Sequence, residues 1–388
     1  MTRAAIVGIG QTEFTDGSDP RSGLELAAEA IIAAADDAGI PVEDIDGIIK
    51  YTLDPSASLE MLSANLGLKE MTFFAETPIG GGANCTTMQI AAMAVEAGYA
   101  QYAVGFRAFT SLDYGEGLRR NPAWLWASEV GVKEVARIHG FGAISQSFAL
   151  QATRHMYEFG TTEAQFGSLI QSATTYSANN PNALRKRRVT VDEYLDTPFV
   201  TSPLRDLDIF QPSSGACAVI VSTQERARDL RQKPVRILGA ESGSADKVPP
   251  YWELWPLRRG DITNGAPMNI APRLYARAGI TPADVDVAEL YDCFSFTVMM
   301  ALEAYGFCEY GGSGPFIEAG NIAIDGVIPV NTHGGHLAEA YIHGYNHIVE
   351  AVRQIRGTSC NQVKDAEIAL VTGGPGFASS AMLLSKDS

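Results

Sequence analysis

An internal repeat constrains the fold of this chain more than any other feature. The segment "AGIPVEDIDGI" at 38–48 is matched by "AGITPADVDVA" at 278–288, an offset of 240 residues, with the same AGI start and the same order of Asp, β-branched residue and Asp. A helical pattern precedes each copy and a β-rich stretch follows it. Gly39 and Gly279 stand where a helix C-cap favours a positive φ. The repeat therefore predicts two copies of one α/β unit.

The parallel extends beyond the repeated segment. Three glycines at 80–82 open a helical pattern over 84–97 that leads to "YAVGF", and the glycine pair at 334–335 opens another over 337–356 that leads to "EIALVTGG". The sequence between the copies is rich in helical and loop patterns, and "SSGACAVIVST" predicts a return strand. We predict an N-terminal half (1–115), an inserted loop domain (116–205), a return of the first half (206–240) and a C-terminal half (241–388).

Composition limits the class of ligand. The chain has 388 residues, 46% of them hydrophobic, and a formal net charge of −16 without a long Lys/Arg block, which argues against nucleic-acid binding. Its five cysteines form no CxxC pair, so neither a disulfide framework nor a zinc knuckle is indicated. The apolar run near the start is too short for a signal sequence, and no stretch approaches a membrane span. We expect a soluble, cytoplasmic protein that acts on small molecules.

Four segments carry a resemblance to a known family. They are "AAIVGIGQTEF", "GITPADVDVAELYDCFSF", "YGFCEYGGSG" and "PVNTHGGHLAEAYIHGYNHIVEAVRQIRG". Together they resemble the thiolase superfamily, and within it the sterol-carrier and lipid-transfer branch, over essentially the whole chain. The resemblance implies a thiolase-like duplicated α-β-α-β-α five-layer fold with a helical and loop insertion, a homodimer core and an acyl-CoA substrate.

The sequence departs from the thiolase pattern at the positions that carry the chemistry. The nucleophilic cysteine of thiolases falls on Gly81, and Cys85 lies one helical turn further on. The family's asparagine or histidine of the NEAF-type motif corresponds to Tyr291, its GHP histidine to Tyr341, and the late cysteine of its CxG motif is missing from "VTGGPGF". These changes argue against a Claisen condensation through an acyl-cysteine.

The remaining groups suit a reaction that passes through an enolate. Retro-aldol cleavage of a β-hydroxyacyl-CoA needs a base for the hydroxyl, hydrogen-bond donors for the thioester oxygen and an acid for the carbon. The alignment implies that Tyr291 and Tyr341 converge, and the base and acid roles fit them provided that their pKa is lowered. His343 and His333 are candidates for tuning the tyrosines or holding the oxygen. The amides of Gly81, Gly82 and Gly335 are candidate oxyanion donors.

This combination resembles the thiolase-fold side-chain aldolases of bacterial steroid degradation. The resemblance implies cleavage of a 17-hydroxy steroid with a three-carbon CoA side chain into a 17-ketone and propionyl-CoA. It also implies a partner protein with an OB-fold and a zinc ribbon. No cofactor is expected, because the CoA thioester is the substrate.

Several alternatives remain open from the sequence alone. Cys85 is a candidate for a displaced nucleophile in a degenerate thiolase or acyltransferase, and a non-catalytic subunit that binds acyl-CoA or lipid is a third possibility. The spacing of His333 with His336, and of His343 with His347, also fits a metal site, although structural hydrogen bonding is the preferred interpretation of His336, His347 and Asp292.

Two basic spots stand out against the acidic background. Arg185, Arg187 and Arg188 form one, and Arg258 with Arg259 forms the other; each is a candidate for the CoA phosphates or a solvated loop. The aromatic segment at 249–259, "PPYWELWPLRR", is a candidate lining of a sterol-sized pocket, a partner surface or a small satellite core.

Overall fold

A computed structural model of the chain describes residues 4–17, 19–51, 57–77, 80–110, 138–141, 143–245, 265–376 and 378–387. The strands within them are β1 (Ala4–Gln11), β2 (Gly47–Tyr51), β3 (Phe73–Thr77), β4 (Ala103–Phe109), β5 (Phe199–Thr201), β6 (Leu204–Arg205), β7 (Gly215–Thr223), β8 (Val235–Ser244), β9 (Val287–Glu289), β10 (Ile368–Thr372) and β11 (Ala378–Lys386). The helices are α1 (Gly23–Ala38), α2 (Leu59–Leu66), α3 (Asn84–Glu96), α4 (Ile144–Phe159), α5 (Glu163–Ser177), α6 (Val191–Leu195), α7 (Gln224–Ala227), α8 (Pro267–Ala278), α9 (Ser295–Ala304), α10 (Ser313–Glu318), α11 (Gly335–Ala338) and α12 (Tyr345–Arg356).

The strand order shows the duplication directly. The main sheet runs β3-β2-β4-β7-β1-β8-β11-β10-β9. The strands β2-β4-β7-β1 of the first half correspond, in reverse order along the sheet, to β8-β11-β10-β9 of the second half. In each half the strand after the AGI repeat pairs in parallel with the next long strand, β2 with β4 and β9 with β10. The halves join through two registered pairs between β1 and β8, Ala5 with Arg236 and Ile6 with Val235. The predicted duplication is confirmed.

Helices cover this sheet on both sides and also lie between its halves. Helix α1 packs on β1, β4 and β7, and α8 packs on β8 and β11. Helix α3 contacts strands of both halves, and so does α12, so their apolar faces form a shared central core with the inner sheet faces. This arrangement has the five layers expected from the family resemblance.

The repeated motif performs the same structural task in both copies. Gly39 and Gly279 end α1 and α8 with φ values of 76° and 73°, as the sequence predicts. The last aspartate of each motif then accepts amide hydrogens at the start of a neighbouring strand. Asp46 accepts from the amides of Gln101 and Tyr102 before β4, and Asp286 accepts from those of Glu367 and Ile368 at β10. The last aspartate of the motif therefore anchors the start of a neighbouring strand in each half.

The described part of the predicted insertion, residues 138–141 and 143–205, forms helices α4, α5 and α6. Helices α4 and α5 pack against α9, α5 also packs against α10 and α6, and the small β5–β6 pair follows them. The return strand is β7. The boundary predicted at 240/241 falls inside β8, whose longest pairing is with β11. The aromatic segment at 249–259 lies outside the described residues.

One predicted helix is divided in two. The sequence predicts a continuous helix over 337–356, whereas the chain forms α11, a turn at 339–344 and then α12. His343 has a φ of 48° and Gly344 a φ of 83°, and helical hydrogen bonding cannot continue through two left-handed residues. The turn that results presents Tyr341 and His343.

No helix within the described residues is both long enough and apolar enough to span a bilayer.

Candidate active site

Two tyrosines from different elements meet at the centre of the candidate site. Tyr291 follows β9, and its amide donates to Thr372 Oγ1 over 2.9 Å, which ties it to the end of β10. Tyr341 lies in the turn before α12; its amide donates to Ser213 Oγ over 2.8 Å, and its ring stacks on Phe210 with centroids 4.0 Å apart. The two hydroxyl oxygens are 3.0 Å apart. The predicted convergence of the tyrosines is confirmed.

Gly81 explains why this site has no nucleophile at the thiolase position. A Cβ placed on Gly81 would lie 1.7 Å from the Tyr291 hydroxyl oxygen, well inside van der Waals contact. The amide of Gly374 donates to the Gly81 carbonyl over 2.9 Å and holds this backbone in place. The phenol therefore occupies the space that a side chain at residue 81 would need.

Gly81 and Gly82 also supply backbone donors. They open the 3-10 turn Gly81–Ala83 that continues into α3, and both are half-buried. Amides at the start of a helical segment have no acceptor within the helix. Their position beside the Tyr291 hydroxyl suits the predicted role of donors to a thioester oxygen.

Burial controls the ionisation of Tyr291. Its side chain is only 2% exposed. Burial, followed by the neighbouring Tyr341, raises its pKa well above the ordinary value for tyrosine. A lowered pKa was the condition set for a tyrosine base, and Tyr291 does not meet it because its hydrogen-bonding neighbour is another hydroxyl rather than a cation. Tyr291 is therefore a neutral phenol in the free protein.

His343 lies beside the pair and is held by a residue that the sequence analysis missed. Arg107 Nε donates to His343 Nδ1 over 3.1 Å, and the Tyr51 hydroxyl donates to the His343 carbonyl over 3.2 Å. The imidazole meets the Tyr341 ring edge-on, with centroids 4.9 Å apart. Burial and the Arg107 charge hold the pKa of His343 well below its usual range. The only sequence signal for Arg107 was a single charged residue in the apolar stretch "YAVGFRAF".

A buried carboxylate, Asp292, supports α11 and the turn that follows it. Asp292 Oδ1 accepts from the His336 amide at 2.8 Å, and Oδ2 from the Leu337 amide at 3.3 Å, so it caps α11. His347 Nε2 lies 3.0 Å from the same Oδ1. His336 Nε2 in turn accepts from the Gly344 amide over 2.9 Å. These bonds give His336, His347 and Asp292 the structural task that was preferred for them.

The same three side chains form the one potential metal cluster among the described residues. Their ligand atoms lie within 4.8 Å of one another. However, Asp292 Oδ1 and His336 Nε2 already accept backbone hydrogens. Burial opposes protonation of His347, but the hydrogen bond and charge of Asp292 outweigh it and raise the His347 pKa. Hydrogen bonding thus accounts for the cluster.

His333 lies apart from the tyrosine pair. It is 1% exposed, its Nδ1 is 3.0 Å from Glu289 Oε2, and its Nε2 is 3.5 Å from Glu339 Oε2. Burial lowers its pKa although the glutamate charges act in the opposite direction. The described hydrogen bonds and ring contacts of His333 reach neither tyrosine. Its predicted catalytic role stays a prediction.

Gly335 makes room for the supporting carboxylate. It has a φ of 64°, and a Cβ there would lie 2.0 Å from Asp292 Oδ2. This close approach gives Gly335 a steric reason to be glycine, while its predicted role as an oxyanion donor stays a prediction.

Cys85 is poorly placed to act as a displaced nucleophile. It is fully buried in α3, and its thiol donates to the Val371 carbonyl with an S···O distance of 3.5 Å. Burial raises its pKa far above the ordinary value for cysteine. The thiol is thus neutral and out of contact with solvent, which argues against an acyl-Cys85 intermediate.

Two of the three candidate CoA-binding arginines at 185–188 have protein partners. Arg185 is half-buried and donates to the Leu337 carbonyl over 3.1 Å, so it helps to hold the end of α11. Arg187 pairs with Glu193 at 2.6 Å, and Arg188 is exposed. A role of this loop in CoA binding stays a prediction, and Arg258 and Arg259 lie outside the described residues.

Comparison with known proteins places this geometry in context. Residues 256–385 match the family described as thiolase C-terminal domain-like. The chain is 40% identical to 17-hydroxy-3-oxo-4-pregnene-20-carboxyl-CoA lyase of Mycobacterium tuberculosis, over 98% of this chain and 99% of that protein. It is also 40% identical to the steroid side-chain-cleaving aldolase of Thermomonospora curvata, over 99% and 98% of the two chains.

Solved structures agree with the sequence comparison. A chain of the structure named Ltp2-ChsH2(DUF35) aldolase superposes with a TM-score of 0.89 at 39% identity, covering 100% of this chain and 98% of that one. Human mitochondrial 3-ketoacyl-CoA thiolase superposes with a TM-score of 0.71 at 13% identity, covering 100% and 99%, which shows the shared fold alone.

Proposed function

Because the chain belongs to the thiolase superfamily and, within it, to the steroid side-chain-cleaving aldolases, we propose that it is an acyl-CoA retro-aldolase. Its substrate is a 17-hydroxy steroid with a three-carbon CoA side chain, and its products are the 17-ketone and propionyl-CoA. The observation that carries this proposal is the pair of hydroxyls of Tyr291 and Tyr341, 3.0 Å apart, beside a glycine that leaves no space for a nucleophile.

The reaction balances without a covalent intermediate. The proton of the substrate hydroxyl passes to the phenol pair as the carbon–carbon bond breaks, and the electrons of the O–H bond form the carbonyl of the ketone. The electrons of the carbon–carbon bond move into the thioester, whose oxygen becomes an enolate oxygen. In the same event the phenol pair releases its other proton to the α-carbon, so that neither phenol carries a net charge and the enolate collapses to propionyl-CoA. The hydrogen gained by one partner is the hydrogen lost by the other.

Two neutral phenols are suited to this transfer. Each hydroxyl both donates and accepts, so the pair can receive a hydrogen at one end and release another at the other end. This relay requires no ionised tyrosine in the free protein, and the raised pKa of Tyr291 supports it. The amides of Gly81 and Gly82 and the His343 ring are the groups that we assign to the enolate oxygen.

The test replaces each phenol in turn. We expect Tyr291→Phe and Tyr341→Phe each to lower kcat by about 10²- to 10⁴-fold, the usual range for loss of a general acid or base. Propionyl-CoA and the steroid ketone are measured by mass spectrometry after incubation with the 17-hydroxy-3-oxo-4-pregnene-20-carboxyl-CoA thioester. Normal rates in both variants would exclude the mechanism.

Tyr275→Phe provides the matched control. Tyr275 is a buried tyrosine of α8 whose hydroxyl donates to the Tyr305 carbonyl over 2.9 Å. Its replacement removes one buried hydrogen bond, so it should cost about 1 kcal/mol of stability and leave cleavage unchanged.

The assembly is also part of the proposal. We propose a homodimer core that binds a partner protein with an OB-fold and a zinc ribbon. The name of the solved Ltp2-ChsH2(DUF35) relative supports a partner. The edge strand β3 supports the dimer, because Phe74 on it is 62% exposed. Light scattering of the chain alone tests the dimer, and a mass equal to one chain would exclude it.

A further inference from the structure

One buried charge at the site has no part in the proposed reaction. Arg107 in β4 is fully buried, and its guanidinium carbon lies 4.2 Å from the centre of the Phe109 ring and 5.4 Å from that of Tyr51. Nη1 donates to the Ala108 carbonyl over 2.9 Å, and Nε donates to His343 Nδ1 over 3.1 Å. Removing a guanidinium from water is costly, so a fully buried arginine beside a candidate site calls for a functional reason.

The contact between Arg107 and His343 decides where the imidazole carries its hydrogen. A guanidinium stays protonated in proteins and can only donate. Nδ1 of His343 must therefore be the acceptor. A neutral imidazole carries one hydrogen, so that hydrogen is on Nε2. Within the described residues Nε2 has no hydrogen-bond partner, and the residue is half-buried rather than sealed.

The orientation of the ring is also held from several directions. The φ of 48° at His343 is one that residues other than glycine seldom adopt, and Gly344 follows with a φ of 83°. The Tyr51 hydroxyl holds the His343 carbonyl, and the rings of Phe109 and Tyr341 meet the imidazole edge-on with centroids 4.8 and 4.9 Å away. A strained backbone that the surroundings maintain is a common mark of a functional group held in position.

We propose that Arg107 is a positioning residue that fixes His343 as the neutral Nε2–H tautomer and so makes it a hydrogen-bond donor to the thioester oxygen. This inference rests on the proposed retro-aldolase function. The imidazole Nε2–H donates a hydrogen bond to the developing enolate oxygen without transferring its proton. Proton transfer from the substrate hydroxyl to the α-carbon therefore still runs through the phenol pair. Burial and the Arg107 charge both lower the pKa of His343, which keeps the ring neutral.

The tautomer can be measured without any substrate. Long-range proton–nitrogen correlation spectra of protein labelled with ¹⁵N-histidine distinguish the two nitrogens of a neutral ring, and the His343→Gln spectrum identifies the signals of His343. We expect the Nε2–H form in the natural protein, and a mixture of tautomers or a protonated ring in Arg107→Met. An Nδ1–H form in the natural protein overturns the proposal, even if no Arg107 variant folds.

Kinetics then test whether the tautomer matters. Loss of one oxyanion donor costs about 10²- to 10³-fold in kcat, so Arg107→Met should lower kcat by about tenfold or more, with little change in KM. A glutamine side chain donates from its amide without help from an arginine. In the His343→Gln background the Arg107→Met change should therefore have little further effect. Full additivity of the two losses would mean that Arg107 does not act through His343.

The pH profile gives a second readout. Among the described residues, the charged and titratable groups that face His343 are Arg107, Tyr51, Tyr341 and His336. Burial raises the pKa of Tyr51 and lowers that of His336. Without Arg107 the pKa of His343 should rise, and kcat should gain a new inflection on the acidic side of neutrality. Arg107→Lys restores a cationic donor and should remove most of that inflection. An unchanged profile in Arg107→Met contradicts the proposal.

Arg205→Met is the matched control. Arg205 is 7% exposed, and its guanidinium carbon lies 4.1 Å from the centre of the Phe199 ring, so it is also a buried arginine on an aromatic ring, but outside the site. Its loss should leave the His343 signals and the pH profile unchanged. The spectra and the cleavage assay can fail independently. If the Nε2–H tautomer is found but no propionyl-CoA is released, the proposed function is rejected and the tautomer stands. If propionyl-CoA is released but the tautomer is Nδ1–H, only the role of Arg107 is rejected.

Discussion

At the scale of single residues, steric exclusion explains why a tyrosine hydroxyl stands where a thiolase has its cysteine. The family resemblance assigns the thiolase cysteine to the position of Gly81, and the Tyr291 hydroxyl fills the space next to this glycine. A sulfur at residue 81 and a phenol at residue 291 cannot both be present in this backbone. The loss of the nucleophile is therefore a condition for bringing the phenol pair together.

The first residue-scale prediction concerns this exclusion. Gly81→Ala places a Cβ 1.7 Å from the Tyr291 hydroxyl, so either the ring or the turn Gly81–Ala83 must move. We expect the free energy of unfolding to fall by about 1–3 kcal/mol, the usual cost of overpacking, and kcat to fall about 10²-fold because a shift near 1 Å disrupts the pair. Gly239→Ala is the control, since its Cβ would meet only ordinary contacts at 3.6 Å. Full activity in Gly81→Ala would show that the ring adjusts freely.

The second residue-scale prediction separates this enzyme from a cysteine-dependent thiolase. Cys85→Ala should cleave substrate at the normal rate and lose roughly 1 kcal/mol of stability from the cavity. Alkylation of the native protein should modify the exposed Cys360 and spare Cys85. Trapping of an acyl group on Cys85 would contradict the phenol mechanism.

At the scale of elements, the decisive feature is the interruption between α11 and α12. The interruption exposes Tyr341 and His343 on a turn that Asp292 supports through the amides of His336 and Leu337. A continuous helix over the same residues would direct these side chains around its axis instead of toward Tyr291. The turn therefore directs Tyr341 and His343 toward Tyr291.

The element-scale prediction is Asp292→Asn. In asparagine only the amide oxygen can accept a hydrogen bond, because the other terminal atom is an NH2 group. At least one of the three donors, the His336 amide, the Leu337 amide or His347, is then left without an acceptor. We expect a loss of roughly 2–4 kcal/mol in stability and a lower kcat as the turn loosens. Asp286→Asn is the control: it changes a carboxylate at the opposite end of β9, where both amides bond to the same oxygen, and it should leave kcat unchanged. Equal kcat losses in the two variants would refute the specific role of Asp292.

The elements also show what the sequence could predict. Gly39 and Gly279 mark helix ends through a local conformational preference, so the duplicated order of elements was readable from the chain. The convergence of Tyr291 and Tyr341 came from the alignment with the family, because residues 50 positions apart carry no local signal. The break at His343 was missed because hydrophobic periodicity continues across it. Arg107 was missed because its partner lies 236 residues away.

At the scale of the whole molecule, a buried polar network makes stability depend on pH. Glu289 is fully buried, with Thr332 Oγ1 3.0 Å from Oε1 and His333 Nδ1 3.0 Å from Oε2. Burial raises its pKa to about 7, from 4.5 in an unperturbed chain. Between those values the folded state holds a proton that the unfolded state has released. The stability that protonated Glu289 contributes to the folded state is therefore fully present below about pH 4.5 and is lost as the pH rises through about 7.

The whole-molecule prediction is a pH-dependent effect of Glu289→Gln. Glutamine mimics the protonated glutamate at every pH, so it should remove a loss on the order of 3 kcal/mol between pH 4.5 and 8. Denaturant unfolding at several pH values should show that the free energy of unfolding of the variant increases relative to that of the natural protein as the pH rises. The exposed Glu70→Gln change should show no such trend. A constant difference between variant and natural protein would rule out titration of Glu289 in this range.

The steric pairing of residues 81 and 291 also has an evolutionary consequence. One half of the chain supplies the glycine and the other supplies the tyrosine, so the two positions cannot vary independently: a side chain at residue 81 requires the ring at residue 291 to be moved or lost. Restoring the cysteine would collide with the ring, and removing the ring first would leave neither chemistry. A single substitution therefore does not interconvert the two kinds of catalyst, although they share one scaffold.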